Sequence, residues 1–208
     1  MPTRRALLIG NGPTLSKARL ATLATQAEVV VAVDGGADKA LRAGLTPDVV
    51  MGDLDSVSPR VRKRLSGKIV HVPTQENTDL EKALRWALKN HVTHITLAGF
   101  IGGRWDFSIG NLLTLATYAR KLEVRVAGED WMMYPLVKSA QLPCAKNKRL
   151  SLIPLQPCRQ VTLTGCKYPL HGENLQPGTT RTLSNQTTAS RVRITFTRAT
   201  LLVYIEGN

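Results

Sequence analysis

The chain has 208 residues, room for one large domain or for a medium and a small one, and 43% of them are hydrophobic, which excludes wholesale disorder. A formal charge of +13 from 28 basic and 15 acidic residues points to an anionic partner, and the excess is uneven, since residues 141–208 carry 9 basic and 2 acidic side chains. Cys144, Cys158 and Cys166 show no metal or C-x-x-C spacing, the apolar run after Arg4-Arg5 is too short for an export signal, and nothing approaches membrane-spanning length; the expectation is a cytoplasmic protein with reduced thiols and no membrane contact.

Residues 6–9 predict a compact strand, Gly10-Asn11-Gly12-Pro13 a tight turn, and residues 14–26 a helix able to bury Leu15, Ala18, Leu20, Leu23 and Ala24. A wholly apolar strand at 29–33 ends at Asp34-Gly35-Gly36, and a short helix at 37–43 stops at Gly44. A strand at 48–51 runs into Gly52-Asp53-Leu54-Asp55-Ser56, followed by a basic helix at 59–65 and a strand at 69–72. Residues 78–90 form the clearest helix, with Leu80, Ala83, Leu84, Ala87 and Leu88 on one face and Thr78 and Glu81 spaced as a capping box. A strand at 94–98 leads into Gly99 to Asp106, then a helix at 109–121 and a strand at 123–127. This alternation predicts an α/β fold, a doubly wound and mostly parallel sheet. After about residue 134 short β-branched runs at 150–153, 160–163, 192–196 and 201–205 predict a small antiparallel β-sandwich domain.

Strand ends in a parallel sheet share one edge, so their loops meet at one crevice. Asp34 follows the second strand, Asp53 and Asp55 the third, and Asp79 opens the helix after the fourth. Four acids at one edge repel one another unless a cation is present, and an all-oxygen set without His or Cys points to Mg²⁺ rather than zinc. Lys82, three residues after Asp79, and Arg104, after two glycines, are candidate phosphate contacts. Acids, magnesium, a lysine and an arginine are the parts needed for phosphoryl transfer. No G-x-x-x-x-G-K-[ST] loop is present, and Leu15 stands at the third glycine position of a dinucleotide fingerprint.

Asp34-Gly35-Gly36-Ala37, Gly52-Asp53-Leu54-Asp55-Ser56, the run from Gln75 through Asp79 and Lys82 to Leu84, and Gly103-Arg104-Trp105-Asp106 stand in an order and at intervals that resemble the thiamine pyrophosphokinase family. The likeness continues at Leu152-Ile153-Pro154-Leu155, Lys167-Tyr168-Pro169-Leu170 and Ser184-Asn185. The resemblance implies transfer of a diphosphoryl group from Mg-ATP to the hydroxyl of thiamine, giving thiamine diphosphate and AMP. It implies an ATP-carrying domain over residues 1–134 and a sandwich over 135–208 that builds the thiamine pocket across a homodimer. Asp53, Asp55 and Asp79 would hold magnesium with Asp34 nearby, and Gln75, Lys82 and Arg104 would contact the nucleotide phosphates. Asp106 would orient the site, completing a catalytic set of Asp53, Asp55, Asp79, Arg104 and Asp106, while Ser184 and Asn185 would face thiamine.

Phe107 stands where bacterial members of the family often have histidine, Thr74 where they have an acid, and Glu76 and Gln186 where aspartate and glutamate are commoner. A diphosphokinase for another hydroxymethyl acceptor and a non-catalytic nucleotide or thiamine sensor therefore stand as alternatives. A nucleic-acid-binding protein is a third, suggested by the net charge and by Arg60, Arg62, Lys63 and Arg64, but only 5% of residues are aromatic and no stacking platform is interleaved with the basic residues.

Overall fold

Short aliphatic runs, each punctuated by glycine or an acid, become the strands of the first half of the chain. In the computed structural model, which describes residues 3–74 and 76–207, β1 is Arg5–Ile9, β2 Val29–Val33, β3 Val49–Gly52, β4 Ile69–His71, β5 His94–Ala98 and β6 Glu123–Ala127. They pair in the order β6-β5-β1-β2-β3-β4, every pair parallel. Leu7, Leu8, Val31, Ala32, Ile95 and Leu97 are fully buried, as strands covered on both faces require. The helices between them are α1 (Lys17–Ala24), α2 (Gly36–Arg42), α3 (Pro59–Arg64), α4 (Asp79–Lys89) and α5 (Trp105–Tyr118). From β1 the chain steps outward to β4, then α4 carries it back to β5 on the other side of β1. The crossovers run outward from β1 in opposite directions, and the switch point of such a sheet, where its crevice forms, lies at β1 and β5.

Two helices begin more than one residue from where the sequence pattern predicts. Helix α1 starts at Lys17 rather than residue 14, because Ser16 is its cap and accepts from Arg19 N through its hydroxyl. Helix α5 starts at Trp105, four residues before the predicted 109, so Trp105, Asp106 and Phe107 form its first turn. The cause is local: Gly102 and Gly103 take positive φ (95° and 73°), and Ser108 Oγ accepts from Gly102 N and donates to Arg104 O.

The chain divides into two compact units, Met1–Thr114 with Lys121–Glu129, and Leu115–Arg120 with Asp130–Asn208. The second unit contains β7 (Trp131–Leu136), β8 (Ala140–Pro143), β9 (Arg149–Pro154), β10 (Cys158–Thr164), β11 (Leu170–Leu175), β12 (Asn185–Gln186), β13 (Arg191–Thr195) and β14 (Leu201–Glu206). The boundary expected between residues 134 and 135 falls within β7. All pairs are antiparallel, in the orders β12-β9-β14-β7 and β11-β10-β13-β8. Alternate side chains of both sheets, among them Leu150, Leu152, Val161, Leu163, Val192, Ile194 and Val203, make one buried cluster, the core of a β-sandwich. All three thiols are free and buried; burial raises each, Cys166 to about 11 with the charge of Cys144 adding to the effect, which makes them poor nucleophiles. Among the described residues no helix is long and apolar enough to cross a membrane.

Candidate active site

The loops after β1 and β5 lie backbone against backbone. Gly10 N donates to Ala98 O and Gly12 N to Gly99 O, at 2.8 and 2.7 Å. A Cβ on Gly12 would stand 2.6 Å from Gly99 O, so this approach admits only glycine. The glycines that resemble part of a dinucleotide fingerprint are there for this contact.

Beside that seam, β2 is followed by Asp34, a buried carboxylate on a left-handed residue with φ 51°. Asp34 Oδ1 accepts from Leu54 N at 2.9 Å, which ties the end of β2 to the loop after β3. Gly52 is the last residue of β3, and a Cβ there would lie 2.5 Å from that same oxygen. Between Asp53 and Asp55, Leu54 adopts φ 69° while its side chain is buried with Val57, Val61 and Leu65. Its carbonyl accepts from Val57 N and from the Arg62 guanidinium on α3. An anchored residue thus stands between two carboxylates, and oxygens of Asp34, Asp53 and Asp55 all lie within 4.8 Å of one another. Ser56 Oγ donates to Asp55 Oδ1 at 2.9 Å.

Burial, reinforced by the charge of Asp79, pushes the Asp34 carboxyl up to about 7; the Leu54 N–H acts against this, while a hydrogen bond shared with Asp79 and the charge of Asp53 add to it. Such a group is half protonated at neutral pH without a cation. An all-oxygen, converging set fits a hard divalent ion such as Mg²⁺ and lacks the nitrogen or sulfur that zinc favours.

Asp79 opens α4, where Thr78 Oγ1 accepts from Glu81 N as the capping spacing predicts. The Asp79 carboxylate also accepts from Lys82 Nζ at 3.0 Å, and the Lys82 side chain is only 4% exposed. On the β5 side Arg104 forks onto Asp106, Nε to Oδ1 at 3.2 Å and Nη2 to Oδ2 at 2.5 Å, and lies over the Phe107 ring at 4.3 Å. That pair holds the Asp106 carboxyl below its ordinary range and raises Arg104 further. With 73% of its side chain exposed, Arg104 presents a pre-aimed guanidinium to solvent.

These loops enclose a cleft of about 770 Å³ lined by Asp34, Asp53, Asp55, Asp79 and Arg104. Lys82 is not among its lining residues, and Asp106 acts on it only through Arg104. Gln75 lies outside the described residues. Ser184 and Asn185 belong to the second unit, where the Ser184 backbone is left-handed (φ 56°) and its N–H donates to Ser151 Oγ. The buried Asn185 amide donates to Tyr168 O and accepts from Tyr168 N and Gln186 N, lining a pocket of about 220 Å³ with Arg181 and Thr182. Among the cleft residues that escape sequence reasoning as site residues are Asn11, Lys39, Phe107 and Asn111. Asn111 donates to Phe100 O at 2.8 Å and so fixes the β5 loop; the one local signal for it is a polar residue amid an apolar helix.

An open parallel sheet with carboxylates and an arginine at its switch point is a fold suited to phosphoryl transfer. Comparison with known proteins narrows the class. Residues 20–126 match the family model described as thiamin pyrophosphokinase, catalytic domain, and residues 138–201 the model described as thiamin pyrophosphokinase, vitamin B1 binding domain. Thiamine pyrophosphokinase of Bacillus subtilis (strain 168) is 31% identical over 182 residues, spanning 83% of this chain and 85% of that protein. The crystal structure of thiamine pyrophosphokinase from Bacillus subtilis superposes with a TM-score of 0.83 at 26% identity over 99% of both chains. That of thiamin pyrophosphokinase from Geobacillus thermodenitrificans gives 0.82 at 27% identity over 98% of this chain and 97% of its own. The chain belongs to the thiamin pyrophosphokinase family.

Proposed function

We propose that the protein is a thiamine pyrophosphokinase in which the acid-lined cleft of the first unit is the catalytic centre. The reaction joins the hydroxyl oxygen of thiamine to the β-phosphorus of ATP, releasing the hydroxyl proton to water, and breaks the bond from that phosphorus to the oxygen bridging to the α-phosphate, so AMP leaves with the bridging oxygen. Loose phosphoryl transfer of this kind needs positioning and charge neutralisation more than a strong base. The observation that carries this reading is the convergence of Asp34, Asp53 and Asp55 within 4.8 Å in a cleft that Asp79 and Arg104 also line.

In this reading Asp34, Asp53, Asp55 and Asp79 hold Mg²⁺, which when bound neutralises charge on the transferred group. Arg104 takes a phosphate in place of Asp106, or shared with it, and Phe107 gives the guanidinium a face to rest on. Gln75 and Lys82 support the nucleotide side, Lys82 by fixing the Asp79 carboxylate. We assign residues 1–134 to Mg-ATP and residues 135–208, with Ser184 and Asn185, to thiamine and to the pairing of two chains as a homodimer. Its setting is the cytoplasm.

The test is to incubate the purified protein with Mg-ATP and thiamine and follow both products by chromatography, with a control lacking thiamine. AMP and thiamine diphosphate in equal amounts are expected. AMP without thiamine diphosphate would point to another acceptor, and neither product would leave a ligand sensor as the better account.

A further inference from the structure

Sequence spacing offers Lys82 as the ammonium of the cleft, yet that ammonium is enclosed and engaged by Asp79. The lysine that lines the cleft is Lys39, on α2, five residues after Asp34. Its Nζ donates to the carbonyls of Asn11 and Gly12, which open the glycine turn after β1. The first of these carbonyls is held in place, because the Gly12 N–H of the same peptide unit donates to Gly99 O. Two of the three ammonium donors are thus spent on neutral oxygens. Among the described residues no carboxylate is bonded to Lys39, so its charge is not tied up in an ion pair as that of Lys82 is.

We propose that Lys39 binds the triphosphate of the nucleotide, a phosphate contact additional to Arg104 and resting on the reading of the cleft as an ATP site. The charge balance supports it. A divalent ion held by Asp34, Asp53, Asp55 and Asp79 is already countered by those carboxylates, so the charge of a triphosphate has to be met by basic side chains. Lys39 and Arg104 are the two basic side chains among the described residues that line the cleft. Burial, with the charge of Arg42, lowers the Lys39 pKa, so the ammonium is under-solvated before ligand arrives and gains from an anion. Its anchoring carbonyls hold the long side chain in one region of the cleft, which reduces the ordering cost of binding.

Lys39→Gln removes the charge and keeps an N–H donor, Lys39→Met keeps the length without either, and Lys39→Arg keeps the charge. Initial rates against Mg-ATP and against thiamine are measured for each, with calorimetric binding of inorganic tripolyphosphate and thermal melting. Lys39→Gln is expected to raise KM for Mg-ATP about tenfold and weaken tripolyphosphate binding to a similar degree. KM for thiamine stays within about twofold, and Lys39→Arg recovers most of the loss. An unchanged KM for Mg-ATP overturns the proposal. So does a parallel rise in both KM values with a lower melting temperature that Lys39→Arg restores no better than Lys39→Gln, or failure of the Gln and Met variants to fold, since each makes Lys39 a strap for the turn. Should the wild type form no product, the functional reading falls by itself, and tripolyphosphate binding, which needs no turnover, still decides the role of Lys39.

Discussion

Replacing Asp79 by asparagine should separate two duties of one carboxylate. Lys82 has a side chain 4% exposed and its Nζ lies 3.0 Å from Asp79 Oδ1, so Asp79→Asn leaves an enclosed ammonium facing a neutral amide. Breaking a fully buried ion pair by removing one partner costs about 3–5 kcal/mol. Asp79 itself is 39% exposed, so water screens one side of the pair, and we expect about 2 kcal/mol. For a chain of 208 residues that lowers the melting temperature by roughly 4–8 °C. Asp53→Asn makes the contrast. Asp53 is part-exposed on a loop and its charge works against ionisation of Asp34, so its neutralisation should leave the metal-free melting temperature unchanged or slightly higher. Both variants should lose turnover. Scanning calorimetry without magnesium and AMP release with it give the two readouts. If Asp79→Asn melts with the wild type, Lys82 does not depend on Asp79 and the anchoring argument fails. If it melts lower, adding Lys82→Met should recover most of the difference, because the stranded charge is then gone.

Asp55→Asn removes the charge of a converging carboxylate at an exposed position, so turnover should fall by about 100-fold or more while circular dichroism and melting stay with the wild type; near-normal rates would remove Asp55 from the ion site. Asp34 predicts a pH effect on the metal-free protein. Its folded pKa of about 7 lies above the ordinary 3.8, so the folded state binds its proton more tightly than the unfolded chain does. The stability this contributes is present below about pH 4 and is lost as pH rises through about 7, so the difference in melting temperature between the wild type and Asp34→Asn should drift against the wild type from pH 5 to 8. A constant difference across that range would refute the shift. Gly12→Ala sets a methyl group 2.6 Å from Gly99 O in a seam that cannot open without moving the β5 loop, and should cost about 1–3 kcal/mol together with most of the activity; a variant as stable and active as the wild type would show that the seam yields.

The parallel sheet was legible because its strands are buried on both faces and so read as unbroken apolar runs, each ended by a glycine or an acid. The acids were legible for the same reason, since strand order alone brings the ends of β2 and β3 to one edge. What the sequence could not display was which lysine faces the cleft. Spacing puts Lys82 on the same side of the helix as Asp79, and in the fold its ammonium is engaged by that carboxylate. Lys39 carries no local signal, because its partners at Asn11 and Gly12 are neighbours only through the pairing of β1 with β2. The first turn of α5 was hidden by Gly102-Gly103, whose positive φ makes a helix start rather than an open loop once Ser108 folds back on it. In the second unit β7 carries Pro135 and β11 carries Gly172 at φ 74°, both of which weaken a strand pattern although each strand forms its ladder.

The acid cluster is held against several local preferences at once. Asp34 and Leu54 are non-glycine residues in the left-handed region, each at a cost of about 1 kcal/mol or more, and Asp34 resists ionisation where it stands. The surrounding structure over-determines both. The Leu54 side chain is sunk in the Val57, Val61 and Leu65 cluster, its N–H is committed to Asp34 and its carbonyl to Arg62 and Val57, while Gly52 leaves the space that the Asp34 carboxylate fills. Each of these contacts fixes the direction of a carboxylate rather than relieving its repulsion from the next. A hard divalent cation among the oxygens would relieve that repulsion without moving the backbone, so the ion would meet a site already shaped for it and the ordering cost would fall on folding instead of on binding.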